Sequence, residues 1–281
     1  MRRVLAALLV LGWPVLVAAN TSSERLALLQ DRNIFDSGLP GTHTVALTFD
    51  DGPNGYTADV LDVLKANHVS ATFFIVGRMG QLHPKLLQRI ADEGHLLANH
   101  SASHTPFDRE YAEDPQLLTD ELQDVDDQIR PLMPKNAVYF FRAPYGIWRP
   151  SFADVLNANP LLKQYVGPMY WDAGGETEFD NEGNLLSAAD WQCWKRDWDV
   201  SDCAEGYLNE IRHKDGGVVL LHCIQSQSAA LVDAVVPKLL DDGFRFVRLD
   251  DVPVYRKYEA PATGAAVALA APDARKHVAA N

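Results

Sequence analysis

The sequence predicts an α/β fold in which a mainly parallel sheet, covered by helices, is closed or nearly closed into a barrel. Three observations predict it. From about residue 44 onward, short apolar runs alternate with amphipathic stretches, the pattern of strands joined by helical crossovers. The amphipathic stretches carry apolar residues at helical spacing. Polar constellations fall where the apolar runs end, and barrels of this kind carry their chemistry on loops at those strand ends.

Taken in order, the strand-like runs are Thr44–Phe49, Ala71–Val76, Leu96–Ala98, Val138–Phe141, Val218–His222 and Phe244–Leu249. Between them, Thr57–Asn67 places Val60, Leu61 and Leu64 on one helical face, and Pro84–Glu93 does the same with Leu86, Leu87 and Ile90. Asp114–Leu132, Ser151–Asn159 and Gln227–Asp242 follow the same rule. Residues 171–206 break the alternation. This stretch is acidic and aromatic, holds Trp171, Trp191, Trp194 and Trp198, and reads as an insertion passing over the barrel mouth. Residues 259–281 are rich in Ala and Pro and read as a disordered tail.

The first 19 residues read as a cleaved secretory signal. Arg2 and Arg3 open it, a mostly apolar stretch from Val4 to Val17 follows, and Val17-Ala18-Ala19 offers small residues before Asn20. A retained membrane span is the weaker reading, because the run is short and Pro14 interrupts it. The expected organisation is a signal at 1–19, an N-terminal segment at 20–41, a main α/β domain at 42–258 and the tail at 259–281. A secreted or periplasmic location follows, with no stable membrane insertion, and a monomer is expected.

The formal charge of −13 becomes −15 once Arg2 and Arg3 leave with the signal, which argues against nucleic-acid binding. The three cysteines are Cys193, Cys203 and Cys223. In an oxidising compartment a pair ten residues apart can close a small loop, so Cys193–Cys203 is the expected disulfide and Cys223 a buried free thiol.

Chemistry starts at Leu47-Thr48-Phe49-Asp50-Asp51-Gly52-Pro53. Two carboxylates side by side at a buried strand end repel each other unless a cation lies near. A surface turn would explain Asp and Gly-Pro more simply. Asn99-His100-Ser101-Ala102-Ser103-His104 closes the third run, and on a helical turn His100 and His104 share a face. Two imidazoles and one carboxylate suit a divalent metal, zinc best, with cobalt, nickel or manganese as substitutes. Phe141-Arg142-Ala143-Pro144-Tyr145-Gly146 brings an arginine able to hold a carboxylate, and Leu220-Leu221-His222 ends the penultimate run on a histidine. Any one of these has an ordinary structural explanation. Four in series, each at a strand end, do not.

TFDDGP, NHSASH, FRAPYG, a Trp-Asp region and LLH, in this order, resemble the polysaccharide deacetylase family, the NodB-homology domain of carbohydrate esterase family 4, over roughly residues 42–252. The resemblance implies a distorted (β/α) barrel of about seven strands and metal-dependent hydrolysis of acetyl groups on an acetylated polysaccharide or oligosaccharide. It implies Asp51, His100 and His104 as metal ligands, Asp50 as base and Arg142 as the group that holds the base. It also implies the Tyr145 N–H as oxyanion donor, His222 as acid and Leu220 as a wall of the acetate pocket. The fourth motif departs from the family's compact form, since residues 173–189 separate Trp171-Asp172 from Asp190-Trp191. Asp190 is assigned to orient His222 and Trp191 to wall the pocket, with Asp172 or Asp197-Trp198 as alternatives. Cys223 stands where the family often has Asp. The favoured substrate is an N-acetylglucosamine polymer, chitin-like or peptidoglycan. An O-acetyl esterase and a carbohydrate-binding pseudoenzyme are the alternatives.

Overall fold

A computed structural model describes residues 37–256 and Tyr258. The expected signal at 1–19, most of the N-terminal segment and the Ala/Pro-rich tail lie outside the described residues. Strand β1 (Thr44–Asp50) is central. Parallel to it run β2 (Thr72–Ile75), β3 (Leu96–Asn99) and, much later in the chain, β8 (Gly216–His222), in the order β3-β2-β1-β8. The intervening strands are β4 (Tyr139–Phe140), β5 (Tyr165–Val166), β6 (Glu178–Phe179) and β7 (Leu185–Ser187). The last strand, β9 (Arg245–Phe246), pairs with the first residues of β1, beside the edge that β2 occupies farther along. Only these two residues of the expected Phe244–Leu249 run are strand, because Leu249–Asp251 turns into a 3₁₀ helix that caps the barrel.

The ring then closes irregularly. Asn99 bridges to Phe141, extending β3 to β4, and β4 pairs with β5. The chain leaving β5 hydrogen-bonds back to Phe141 through Met169 and then reaches β8, where Ala173 bridges to Val219. The architecture is thus a distorted barrel of parallel strands. β6 and β7 form a separate antiparallel hairpin.

The helices are α1 (Thr57–Ala66), α2 (Gly77–Leu82), α3 (Pro84–Asp92), α4 (Arg109–Glu113), α5 (Pro115–Ile129), α6 (Pro150–Ala158), α7 (Asp190–Lys195), α8 (Val200–Lys214), α9 (Ser228–Asp241) and α10 (Pro253–Arg256). Aspartates start several of them for a physical reason: the Asp108, Asp114 and Asp199 carboxylates accept otherwise unpaired backbone N–H groups of the first turn. Residues 171–206 are therefore not a bare excursion. They hold the β6–β7 hairpin, α7 and the first two turns of α8. His43 is half-buried, bonded to Asp215 at 2.6 Å and stacked on Phe244.

The strand period of two sorts side chains between two cores. Val45, Leu47, Phe49, Phe73, Ile75, Leu97, Val219 and Leu221 pack outward against the helices. Ala46, Phe74, Leu96, Ala98, Phe140 and Val218 point inward, where Leu249, Val252 and Tyr255 plug the interior. Continuing the inward parity by two or four residues gives Asp50 from Ala46, His100 from Ala98, Arg142 from Phe140 and His222 from Val218. Four chemistry-bearing side chains therefore converge at the carboxyl end of the barrel as a consequence of strand geometry alone.

Candidate active site

Arg142 is the pivot. It is 1% exposed, yet all three nitrogens of its guanidinium are engaged: Nη1 donates to Asp50 Oδ1 at 2.7 Å and to Thr48 Oγ1 at 2.9 Å, Nε to Met169 O and Nη2 to Tyr170 O. Its carbon lies 4.1 Å above the Phe74 ring. Burial pulls its pKa below the usual value, and the Asp50 charge opposes that pull. Asp50 is 3% exposed, and its Oδ1 is committed to Arg142, while Oδ2 lies 3.5 Å from His100 Nε2. Thr48 was legible only as a strand residue. Its inward parity was the available signal, since 48 lies midway between Ala46 and Asp50.

Asp51 leaves the strand in a left-handed conformation (φ 70°), which turns it away from Asp50. Asp51, His100 and His104 offer three ligand atoms that all lie within 4.8 Å of one another. Asp51 Oδ1 is 3.0 Å from His104 Nε2 and 3.5 Å from His100 Nε2, but is buried without hydrogen-bonding geometry to any partner. That is the arrangement expected of a carboxylate aimed at a cation it shares with two ring nitrogens. His100 Nδ1 lies 2.9 Å from the Arg142 carbonyl, to which it donates, so the lone pair is left on Nε2 toward the site. Burial raises the cost of the Asp51 charge, but His100 and His104 outweigh it and hold its carboxyl well below the usual carboxylate range. The residues fit a divalent metal.

The loop carrying the histidines is not the helical turn expected from their spacing. Ser101 (φ 64°) and His104 (φ 58°) are both left-handed, and side chains fix the shape. Asn99 Oδ1 accepts from Ser101 N, Ser101 Oγ from His104 N, and the Glu121 carboxylate on α5 from Ser103 N and Oγ. Glu121 had no sequence signal beyond its helix. His104→Ala removes one of the three candidate donors. We expect divalent-metal affinity to fall by more than about 100-fold, since even the outer partners of metal ligands are worth about 10–100-fold. Titration calorimetry on the metal-stripped variant checks this, and acetate release should disappear in parallel.

His222 ends β8, in register with Asp50 on β1. Its Nδ1 lies 2.8 Å from Asp190 Oδ1, and its backbone N donates to Asp190 Oδ2 at 2.7 Å. Asp190 thus grips both ring and backbone, and Nε2 is left toward the cavity, 4.0 Å from Asp51 Oδ2. Burial disfavours the imidazolium, but Asp190, then Asp51 and Asp50, override it and push the pKa up to about 10. The alternatives to Asp190 lie elsewhere. Asp172 accepts from Val218 N and Ser37 Oγ near the start of β8, and Asp197 is exposed.

Tyr145 sits in a 3₁₀ turn with φ 58°; the residue is 64% exposed and its ring lies 4.7 Å from that of His104. Among the described residues its N–H donates to no acceptor. A cavity of about 530 Å³ joins Asp50, Asp51, His100, His104, Tyr145, Asp190, Trp191, Leu220 and His222. Trp171, Glu176, Trp194, Ile224 and Gln225 also line it. Ile224 and Gln225 went unnoticed in the sequence because nothing marks a loop residue as facing a cavity. Cys193 and Cys203 are disulfide-bonded, and Cys223 is a buried free thiol whose pKa burial pushes up to about 12.

Cys223 packs against the Asp50–Asp51 turn. A Cβ on Gly52 would lie 2.4 Å from its Sγ. Gly52→Ala should therefore cost about 1–3 kcal/mol of stability. Adding Cys223→Ala should restore most of it, as denaturant melts of the single and double variants would show.

Comparison with known proteins bears directly on this arrangement. The profile of the family described as "Polysaccharide deacetylase" matches residues 38–162. A chitooligosaccharide deacetylase of Bradyrhizobium sp. (strain ANU 289) is 37% identical over 188 residues, which is 66% of this chain and 72% of that one. The chain belongs to the polysaccharide deacetylase family. Polysaccharide deacetylases are metal-dependent hydrolases, and this one is accordingly a metal-dependent carbohydrate deacetylase. A second relative in the family is the peptidoglycan-N-acetylmuramic acid deacetylase PdaA of Bacillus subtilis (strain 168), 28% identical and matched over 84% of this chain and 81% of that one. The solved structure of Bacillus subtilis PdaA, a family 4 carbohydrate esterase, superposes with a TM-score of 0.59 at 26% identity, covering 77% of this chain and 83% of that one. Among the described residues of this deacetylase, no helix is long and apolar enough to cross a membrane.

Proposed function

We propose that this deacetylase is a zinc enzyme, exported by its first 19 residues, that removes N-acetyl groups from N-acetylglucosamine polymers. One observation carries the mechanism: a buried carboxylate held by Arg142 and a histidine held by Asp190, in register on β1 and β8, share one cavity with the Asp51–His100–His104 triad. Asp51, His100 and His104 would hold a divalent metal, which would supply a Lewis acid able to acidify a water and polarise the acetyl carbonyl. Asp50 takes the water's proton on Oδ2, the oxygen that Arg142 leaves unengaged. The Tyr145 N–H donates to the oxygen on which negative charge develops. His222 carries its proton on Nε2, because Nδ1–H is directed to Asp190, and passes it to the departing nitrogen. An amide needs that last step more than an ester, because an amine leaves poorly unless protonated.

Leu220, 5% exposed, is suited to wall the acetyl methyl, and Trp191, 47% exposed, offers a ring face at the cavity rim. The relatives named for chitooligosaccharide and peptidoglycan deacetylation support the N-acetyl reading. Two imidazoles and a carboxylate support zinc, with cobalt, nickel or manganese as substitutes.

The test is acetate release from chitooligosaccharides, peptidoglycan and acetylated xylan, with metal-stripped protein and again after zinc is restored. Zinc-dependent release from either of the first two is the expected result. Release from the xylan alone would replace the amide reading with an ester one. No release from any zinc-loaded sample would favour a binding protein without turnover.

A further inference from the structure

We propose that Tyr207 is a positioning residue for the deacetylation reaction, tying the backbone of Asp190 to the strand that carries His222. The inference rests on the reading of His222 as the acid and Asp190 as its partner. Tyr207 lies on α8 and is fully buried. Its hydroxyl accepts from Asp190 N at 3.0 Å and donates to Leu220 O at 3.0 Å. Leu220 precedes His222 by two residues in β8. With the two bonds from Asp190 to His222, the hydrogen bonds form a closed circuit: Asp190, His222, the strand back to Leu220, Tyr207 and Asp190 again.

A buried phenol ordinarily finds partners, and that alone would mean little. Here both partners are backbone groups of the site itself, and three further features serve the same contact. First, α7, which begins at Asp190, has six residues, too few to hold its own shape. Second, the Cys193–Cys203 disulfide joins α7 to α8, and Tyr207 follows Cys203 by four residues, on the same helical face. The disulfide keeps α7 near α8, and the phenol sets its register on β8. Third, Gly174 clears the path. A Cβ there would lie 2.7 Å from Tyr207 Cε1 and 2.3 Å from Leu220 O, and its φ of +85° suits glycine. Tyr207→Phe leaves the Asp190 N–H and the Leu220 carbonyl without their partner, so the carboxylate loses its fixed approach to the His222 ring.

The experiment compares the parent, Tyr207→Phe, Asp190→Asn and the double variant as zinc-loaded, disulfide-intact full chains, with chitopentaose as substrate. Tyr207→Phe should lower kcat about 10-fold, the scale of loss when a partner that orients a site ligand is removed, with KM and zinc affinity unchanged. On the Asp190→Asn background the same change should have no further effect, because Tyr207 acts through Asp190. Proton NMR supplies a readout free of turnover: the His222 Nδ1 proton, held low-field by Asp190, should shift or broaden in Tyr207→Phe. A parental kcat with an unmoved His222 resonance overturns the proposal, as does an undiminished loss on the Asp190→Asn background or a rise in KM alone. Parental kcat in Asp190→Asn would instead overturn the assignment of the acid's partner, and the inference with it. If Tyr207→Phe does not fold, 3-fluorotyrosine at 207 changes the hydroxyl's donor and acceptor strength. A shifted His222 resonance then supports the proposal, and an unchanged one overturns it.

Discussion

Asp50→Asn should reduce acetate release by about 10²–10⁴-fold, the range that a positioned general base contributes. The amide keeps the shape of the carboxylate and can still accept from Arg142 Nη1, but it has no basic oxygen to take a proton. Zinc should still bind, because Asp51, His100 and His104 are untouched. Stability should fall as well, since breaking a buried pair on one side leaves an uncompensated charge, at a cost of about 3–5 kcal/mol. Three acceptors of Arg142 survive in Thr48, Met169 and Tyr170, which places the loss toward the lower end. Zinc stoichiometry and acetate release measured on the same sample separate the base from the metal site. Release within tenfold of the parent, with zinc bound, would mean that another group takes the proton.

His222→Ala should lose activity on the same scale, again with zinc retained, and the pH profile should say why. An acid must be protonated to act, so activity falls as pH rises through its pKa. Asp190, Asp51 and Asp50 together push that pKa up to about 10 against the effect of burial. A cation at Asp51 offsets part of this negative field, so the descending limb should lie between the ordinary histidine value, about 6.5, and about 10. Asp190→Asn should move the limb toward the lower value. The same shift appears in the stability of the metal-free protein. A histidine pKa raised by folding contributes stability that is fully present below about pH 6.5 and is lost as pH rises to about 10. Chemical denaturation of metal-stripped protein at pH 6 and pH 10 should show that loss, and Asp190→Asn should blunt it. A descending limb identical in parent and Asp190→Asn would remove His222 from the role of acid.

Much of this arrangement was legible in the sequence because strands have a period of two. Ala46, Thr48 and Asp50 share a face by counting alone, as do Ala98 with His100, Phe140 with Arg142 and Val218 with His222. Their order along the chain and their positions at strand ends place them at one rim of any barrel these strands form. The segment between 171 and 206 resisted such counting. Its tryptophans, cysteines and acidic residues mask the helical face of Val200–Lys214, where Cys203, Ala204, Tyr207, Leu208 and Ile211 are buried. The His100–His104 spacing fits a helical turn, yet hydrogen bonds from Asn99, Ser101 and Glu121 impose a left-handed loop instead.

The sequence by itself determined the alternation that makes a barrel, the parity that turns Asp50, His100, Arg142 and His222 inward, and the residue types a metal hydrolase needs. Only the tertiary structure decided which carboxylate meets His222. Asp172, Asp190 and Asp197 are equivalent as residues, and the choice depends on where the folded insertion returns to the barrel. Asp172 is drawn to the start of β8 by Val218 N, whereas α7, fastened to α8, delivers Asp190 to its end. Periodicity is a local property of the chain and can be counted. The meeting of residues 32 positions apart depends on packing among elements between them, which no local pattern encodes.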